Sequence, residues 1–219
     1  MEKKDTQRGS AVVNVLKSDS VVSVGKEYLE IGIDNVLESG ALKDIPLVSS
    51  VVGIFNVASS VRDQILATKV LHFLSELAEV SQKERVAMVE KLNENDKFSG
   101  RVGAAVIEIL DRMESDKKPA LAAKCFAAYA REEISFGELR RILLALERLP
   151  SFDIDKLSDF SSAKIEDSLN MDQSLLIAFV NAGLGVNNGG LDGGAVVPTN
   201  LCKLFLKIGL VPCHDPSQD

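Results

Sequence analysis

Ile45 to Val61 reads I-P-L-V-S-S-V-V-G-I-F-N-V-A-S-S-V, seventeen residues without a charged side chain in a chain that is 26% charged. Facing water, such a run would expose a large apolar patch, so the rest of the chain has to cover it. Leu42-Lys43-Asp44 leads in with a helix-capping aspartate, and Pro46 falls in a first turn, where its missing N–H costs no hydrogen bond. The run passes directly into Arg62-Asp63. The pattern predicts one long helix, or two in tandem, from about 45 to 79.

A membrane span takes about 20 mostly apolar residues, and this run is shorter. It is also diluted by Ser49, Ser50, Asn56, Ser59 and Ser60, and Asn56 is costly in lipid without a partner. Two readings of the run stand. Either it is a helix buried on most sides in a bundle, or it is sheltered in one state and meets a membrane or another copy of itself in a second. Ser49 and Gly53, four apart, are small residues on one face that permit close helix approach. With Val52, Phe55 and Asn56 they form the candidate self-association or membrane-contact set.

The 219 residues suffice for one or two domains, and 46% hydrophobic content with 5% aromatics and no tryptophan points to aliphatic helix packing. A net charge of -7 argues against a non-specific polyanion binder. Cys125, Cys202 and Cys213 are odd in number and lack metal-ligand spacing, as expected of buried thiols in a reducing compartment. No uninterrupted apolar stretch follows the charged residues M-E-K-K-D-T-Q-R-G-S. The expected location is the cytoplasm, with peripheral contact at the inner membrane as the variant that the second reading implies.

Residues 1 to about 10 are expected to fray. Apolar residues cluster over Ala11–Leu16, and a helical pattern runs from Val21 to Leu37 before Ser39-Gly40 ends it. Past Arg62 one apolar stripe holds Ile65, Leu66, Val70, Phe73, Leu74 and Leu77. Ser81-Gln82-Lys83-Glu84 and Ser135-Phe136-Gly137-Glu138 fit capping boxes. Between them lie a helix marked by Val102, Val106, Ile109, Leu110 and Met113 and another opened by Asp116 and Pro119. The fold expected is mainly α: a helical bundle over 1–149, then a small module of helices and a β-hairpin over 150–219, with a flexible tail.

After Pro150 come short helices, a cap at Asn170-Met171-Asp172-Gln173 and an apolar helix over Leu175–Leu184. Glycines and asparagines from Gly185 to Gly194 form a hairpin-type turn between short apolar pieces, and Thr199 opens a last helix. This order, over roughly 150 to 211, resembles the winged-helix fold, chiefly in A-G-L-G-V, the glycine-rich wing and P-T-N-L-C-K-L-F. Where winged helices often carry glycine this chain has Cys202. The resemblance makes the helix after Met171 the one that would read a DNA groove, yet it holds no Lys or Arg. From 150 onward there are four lysines, no arginine and nine acidic residues. Phosphate contacts supply most DNA affinity, so packing or protein contacts are expected of this module in place of DNA binding.

No catalytic or metal-binding constellation is found, and no cofactor or small-molecule substrate is implied. His72 sits on an apolar helix, where a packed histidine is the ordinary role, and His214 lies beside two prolines. The chain has no H-E-x-x-H, C-x-x-C, Walker loop or G-x-S-x-G. Gly185, Gly189, Gly190, Gly193 and Gly194 lack the strand and the G-K-S/T ending of a phosphate loop. Glu132, Glu133 and Glu138 flank a turn as caps or solvated groups.

L-K-D-I-P-L-V-S-S-V-V-G followed by V-R-D-Q-I-L-A-T-K-V-L-H-F-L-S-E-L resembles a group of uncharacterised bacterial proteins with an L-K-D-I-P start, an uncharged helix, I-R-D and a lysine before F-L. The likeness covers Leu42–Leu77 and is looser to Leu149. The overall plan is similar to alpha-type abortive-infection proteins. It implies a bacterial host and a role in phage defence or growth arrest, and carries over no catalytic residue. Two functions are therefore expected: a non-enzymatic effector acting through helix 45–61, or a protein-binding winged-helix adaptor. The partner in either is the chain itself or another protein.

Overall fold

Short polar caps decide where most of the described helices begin. The structure, a computed structural model, describes residues 6–19, 21–22, 55, 60–95, 98–115, 117–189 and 194–210. Thr6 accepts a hydrogen bond from the Gly9 amide and starts α1, Gln7–Lys17. Helix therefore replaces the fraying expected over the last of the first ten residues. Apolar content is low there, and the cap, not the burial, sets the start. Ser60 is extended (φ -156°, ψ 144°) and accepts from the Asp63 amide, opening α2, Val61–Glu76. A single helix from 45 to 79 is thus excluded and Val61 belongs to α2. The first helix of the tandem alternative falls, apart from Phe55, on residues outside those described.

Ser81 and Glu84 close the expected capping box on α3, Gln82–Asn93. Helices α4, Val102–Asp111, and α5, Lys117–Ala130, follow. The apolar stripe of α2 packs on α5, where Phe73 and Phe126 meet edge to face at 5.4 Å between centroids. Helix α1 lies on α4 and α3. Its end is held by Arg85, a fully buried guanidinium that donates to three backbone carbonyls: Leu16 at 2.9 Å, Ser18 at 2.6 Å and Val80. Burial pulls the Arg85 pKa down and Asp19 opposes this.

The chain divides into two compact units between Glu133 and Ile134. Sequence texture changes later, at Pro150, but α6, Phe136–Arg148, buries Leu139, Ile142 and Leu146 and packs on the last helix, which places it in the second unit. Ser135 and Glu138 supply its capping box. A 3₁₀ turn, Ser151–Lys156, leads into α7, Leu157–Ser162, then α8, Ile165–Leu169, and α9, Gln173–Asn181.

Gly183 (φ 77°) ends α9: its amide donates to Val180 at 2.9 Å and the Leu184 amide to Phe179 at 2.8 Å, a Schellman closure. Strands β1, Gly185–Asn187, and β2, Val196–Pro198, then pair antiparallel with Val186 opposite Val197. A Cβ on Gly185 would come within 2.9 Å of Val196 Cγ1 and 3.3 Å of Phe160 Cζ, so any side chain there has to push these neighbours aside where the hairpin closes on α7. Thr199 donates its hydroxyl to the Gly183 carbonyl at 2.9 Å and caps α10, Asn200–Lys207. The second unit is thus helices plus one small hairpin, over a core that includes Phe160, Phe179, Leu184 and Phe205.

Candidate functional site

Of the five residues expected to make the self-association or membrane contact, Phe55 is described; Ser49, Val52, Gly53 and Asn56 lie outside the described residues. Phe55 is fully buried. The Arg8 guanidinium sits over its ring, 5.4 Å from the centroid, and Arg8 Nη1 donates to Asp63 Oδ1 at 2.8 Å. The start of α1 and the start of α2 thus close together over this aromatic. Among the described residues, no helix is long and apolar enough to cross a membrane.

The chemistry-bearing groups are mostly occupied by structure. Cys125 and Cys202 are buried, and burial pushes the Cys202 thiol up to about 11 and Cys125 further, so both are protonated at neutral pH. His72 is half-buried on α2. Glu132, at positive φ, pairs with Lys91, and Glu138 serves the cap of α6. An open groove between α1 and α4 carries Arg8 and Arg101, but these cations already pair with Asp63 and Glu108. Among the described residues, no group of three His, Cys, Asp or Glu could hold a metal ion.

Among the described residues, one face of α9 is exposed. Leu176 and Phe179 point into the core, while Gln173, Ser174, Ile177, Val180 and Asn181 are exposed. Ile177 is 58% and Val180 41% exposed, and no residue of α9 is charged. Of the ten large apolar side chains exposed among the described residues, seven fall between Leu144 and Val186, so the apolar surface is concentrated in the second unit. Asp172 caps α9 by accepting from the Leu175 amide at 3.0 Å. Asp153 is close enough to feel it: burial first, then the Asp172 charge, raises the Asp153 pKa.

The sequence places Leu175–Leu184 in one apolar helix but does not single out Ile177 or Val180. A count of apolar residues does not separate the inner row from the outer one. The 3.6-residue period does, once Leu176 and Phe179 are fixed as the buried pair. No family model matches the chain, and no curated protein or solved structure matches it either.

Proposed function

We propose that this chain is a non-enzymatic interaction protein whose second unit is a winged-helix-like module that binds protein, not DNA. The observation that carries this is the outer face of α9, which stands where such a module would place its groove-reading helix. It offers Ile177 and Val180 with hydroxyl and amide neighbours, and neither lysine nor arginine. Depletion of charge around apolar side chains suits the centre of a protein interface, and the lack of cations removes the phosphate contacts that DNA affinity needs. The resemblance to abortive-infection proteins favours phage defence or growth arrest as the setting.

The test is capture from bacterial cells, with and without phage challenge, using the intact chain and the double variant Ile177→Asp/Val180→Asp as baits. A protein retained by the first and lost from the second is the expected result. A salt-sensitive electrophoretic shift of DNA at submicromolar protein would instead overturn the reading.

A second reading, the effector acting through 45–61, is favoured by one observation: Phe55 is buried beneath Arg8, as required of a segment sheltered in a resting state. Its test is the response of liposome association to Phe55 variants.

A further inference from the structure

We infer that α6 carries a second docking surface, the face formed by Arg140, Arg141, Leu144 and Arg148, and that it takes an acidic helical segment of a partner protein. It lies on a different helix from the α9 face and stands without it. At about 100° per residue these four side chains fall within one arc of about 100°, with Leu144 between Arg140 on one side and Arg141 and Arg148 on the other. All four are exposed, Leu144 by 43%, while the opposite side of α6 buries Leu139, Ile142 and Leu146.

The state of the arginines sets this face apart. Arg8, Arg62, Arg101, Arg112 and Arg131 each lie within ion-pair distance of a carboxylate, and buried Arg85 is held by three carbonyls. Arg140, Arg141 and Arg148 form no ion pair with a described residue. Arg140 rests instead over the Phe136 ring one turn back, 5.9 Å from its centroid. Of the two carboxylates on α6, Glu138 is engaged in the cap and Glu147 is half-buried. An acidic chain, with a net charge of -7, thus gathers three cations around one exposed leucine and leaves them without a carboxylate partner among the described residues.

The parts of this face specify its occupant. Guanidinium forks bind carboxylates bidentately, and arginine beside an apolar anchor is the chemistry of interface hot spots. Arg140 and Arg148 are eight residues apart, about 12 Å along the helix. A partner helix laid alongside meets them with acidic residues eight positions apart and meets Leu144 with an apolar residue midway. A sugar–phosphate backbone offers no apolar side chain to Leu144, and the excess of acidic residues after Pro150 repels a long polyanion, so the complementary ligand is a polypeptide. One helix face is a small area, so the contact is transient and salt-sensitive.

The test is fluorescence anisotropy with the full chain and a dye-bearing, alanine-based helical peptide that carries two glutamates eight residues apart and a leucine midway. Binding that weakens severalfold between about 50 and 300 mM salt is expected, with none for the peptide in which lysines replace both glutamates. Arg140→Gln/Arg148→Gln should raise the Kd about tenfold with the thermal midpoint unchanged, and Leu144→Ala should raise it while leaving the salt dependence in place. Ile177→Asp/Val180→Asp should bind the peptide as the parent chain does; loss of binding there would put the peptide on α9 and overturn the proposal. Absence of peptide binding, or binding indifferent to the arginine pair, overturns it as well. So does an affinity for a single-stranded oligonucleotide or for phosphatidylserine vesicles that depends on Arg140 and Arg148 and equals the peptide's, because the ligand would then be a phosphate surface.

Discussion

Gly103 of α4 and Gly9 of α1 meet backbone to backbone: a Cβ built on Gly103 would lie 1.9 Å from the Gly9 carbonyl oxygen and 2.7 Å from its Cα. No flexible side-chain tip is there to yield, so any side chain at 103 has to move one helix off the other. Gly103→Ala is expected to destabilise the first unit by about 1–3 kcal/mol or more, lowering its thermal midpoint by roughly 5–10 °C. Gly137→Ala is the matched control. Its nearest non-helical neighbour is Ser135 Oγ at 3.9 Å, and it sits in α6, where alanine is the better helix former by ~0.5–1 kcal/mol. Opposite signs from one substitution type, read by thermal melts, are the predicted outcome; a neutral Gly103→Ala would mean the crossing is not tight.

Arg85 holds α1 from a distance of 69 positions in the chain through its bond to Leu16. Lysine cannot reproduce the fork that serves Leu16, Ser18 and Val80 together, because its ammonium is a single point donor on a flexible stem. Each abandoned buried carbonyl costs ~1–3 kcal/mol. Both Arg85→Lys and Arg85→Met should therefore loosen α1 ahead of the rest of the unit, seen as faster amide exchange over Val12–Leu16. Unchanged protection in α1 in both variants would remove the clamp from the account of this fold.

The two capping boxes make stability depend on acid. Hydrogen bonds from Ser81, side chain first and then backbone, hold the Glu84 carboxyl below its usual range, and the Ser135 backbone and side chain do the same for Glu138. A carboxyl depressed in the folded state binds fewer protons there than when unfolded. Its contribution is therefore complete above the unfolded value of ~4.3 and lost as pH falls through the lower folded value. Glu84→Gln/Glu138→Gln should lower the urea midpoint at pH 7 and have less effect near pH 3. Ser81→Ala and Ser135→Ala should each cost ~0.5–2 kcal/mol at neutral pH. A Gln effect of the same size at both pH values would show that the bonds are not charge-assisted.

What the sequence made legible was local. Ser81 with Glu84, Ser135 with Glu138, Asp172 and Thr199 all cap helices within four residues, and their chemistry is readable without knowing the fold. Thr6 was not legible in the same way, since Gln7-Arg8-Gly9 offers little apolar pattern to mark a helix after the cap. The Arg85 clamp and the Gly9–Gly103 crossing join residues far apart in the chain, so no window of sequence contains them. Ile177 marks a different limit: side-chain type does not say whether an isoleucine faces in or out until Leu176 and Phe179 are placed. The candidate face on α9 became visible only with that placement.

Phe55 gives the uncharged run its one described anchor, and its surroundings make a graded prediction. The ring is fully buried under Arg8, which is itself tied to Asp63 in the first turn of α2. Phe55→Ala should cost ~3–5 kcal/mol through lost burial and the cavity left behind. Phe55→Asp should cost more, because an unpaired carboxylate replaces the ring, and against a total stability of ~5–15 kcal/mol that change should unfold or aggregate the protein. Phe55→Leu keeps an apolar filling and should fold with a lowered denaturation midpoint. Arg8→Gln removes the cation over the ring and the pair with Asp63, a loss of ~1 kcal/mol for groups this close to solvent. If burial of Phe55 holds a membrane-directed segment in check, Arg8→Gln and Phe55→Leu should increase liposome association together with their loss of stability. A Phe55→Asp chain that folds normally and ignores liposomes would end the effector reading and leave the α9 face to account for the function.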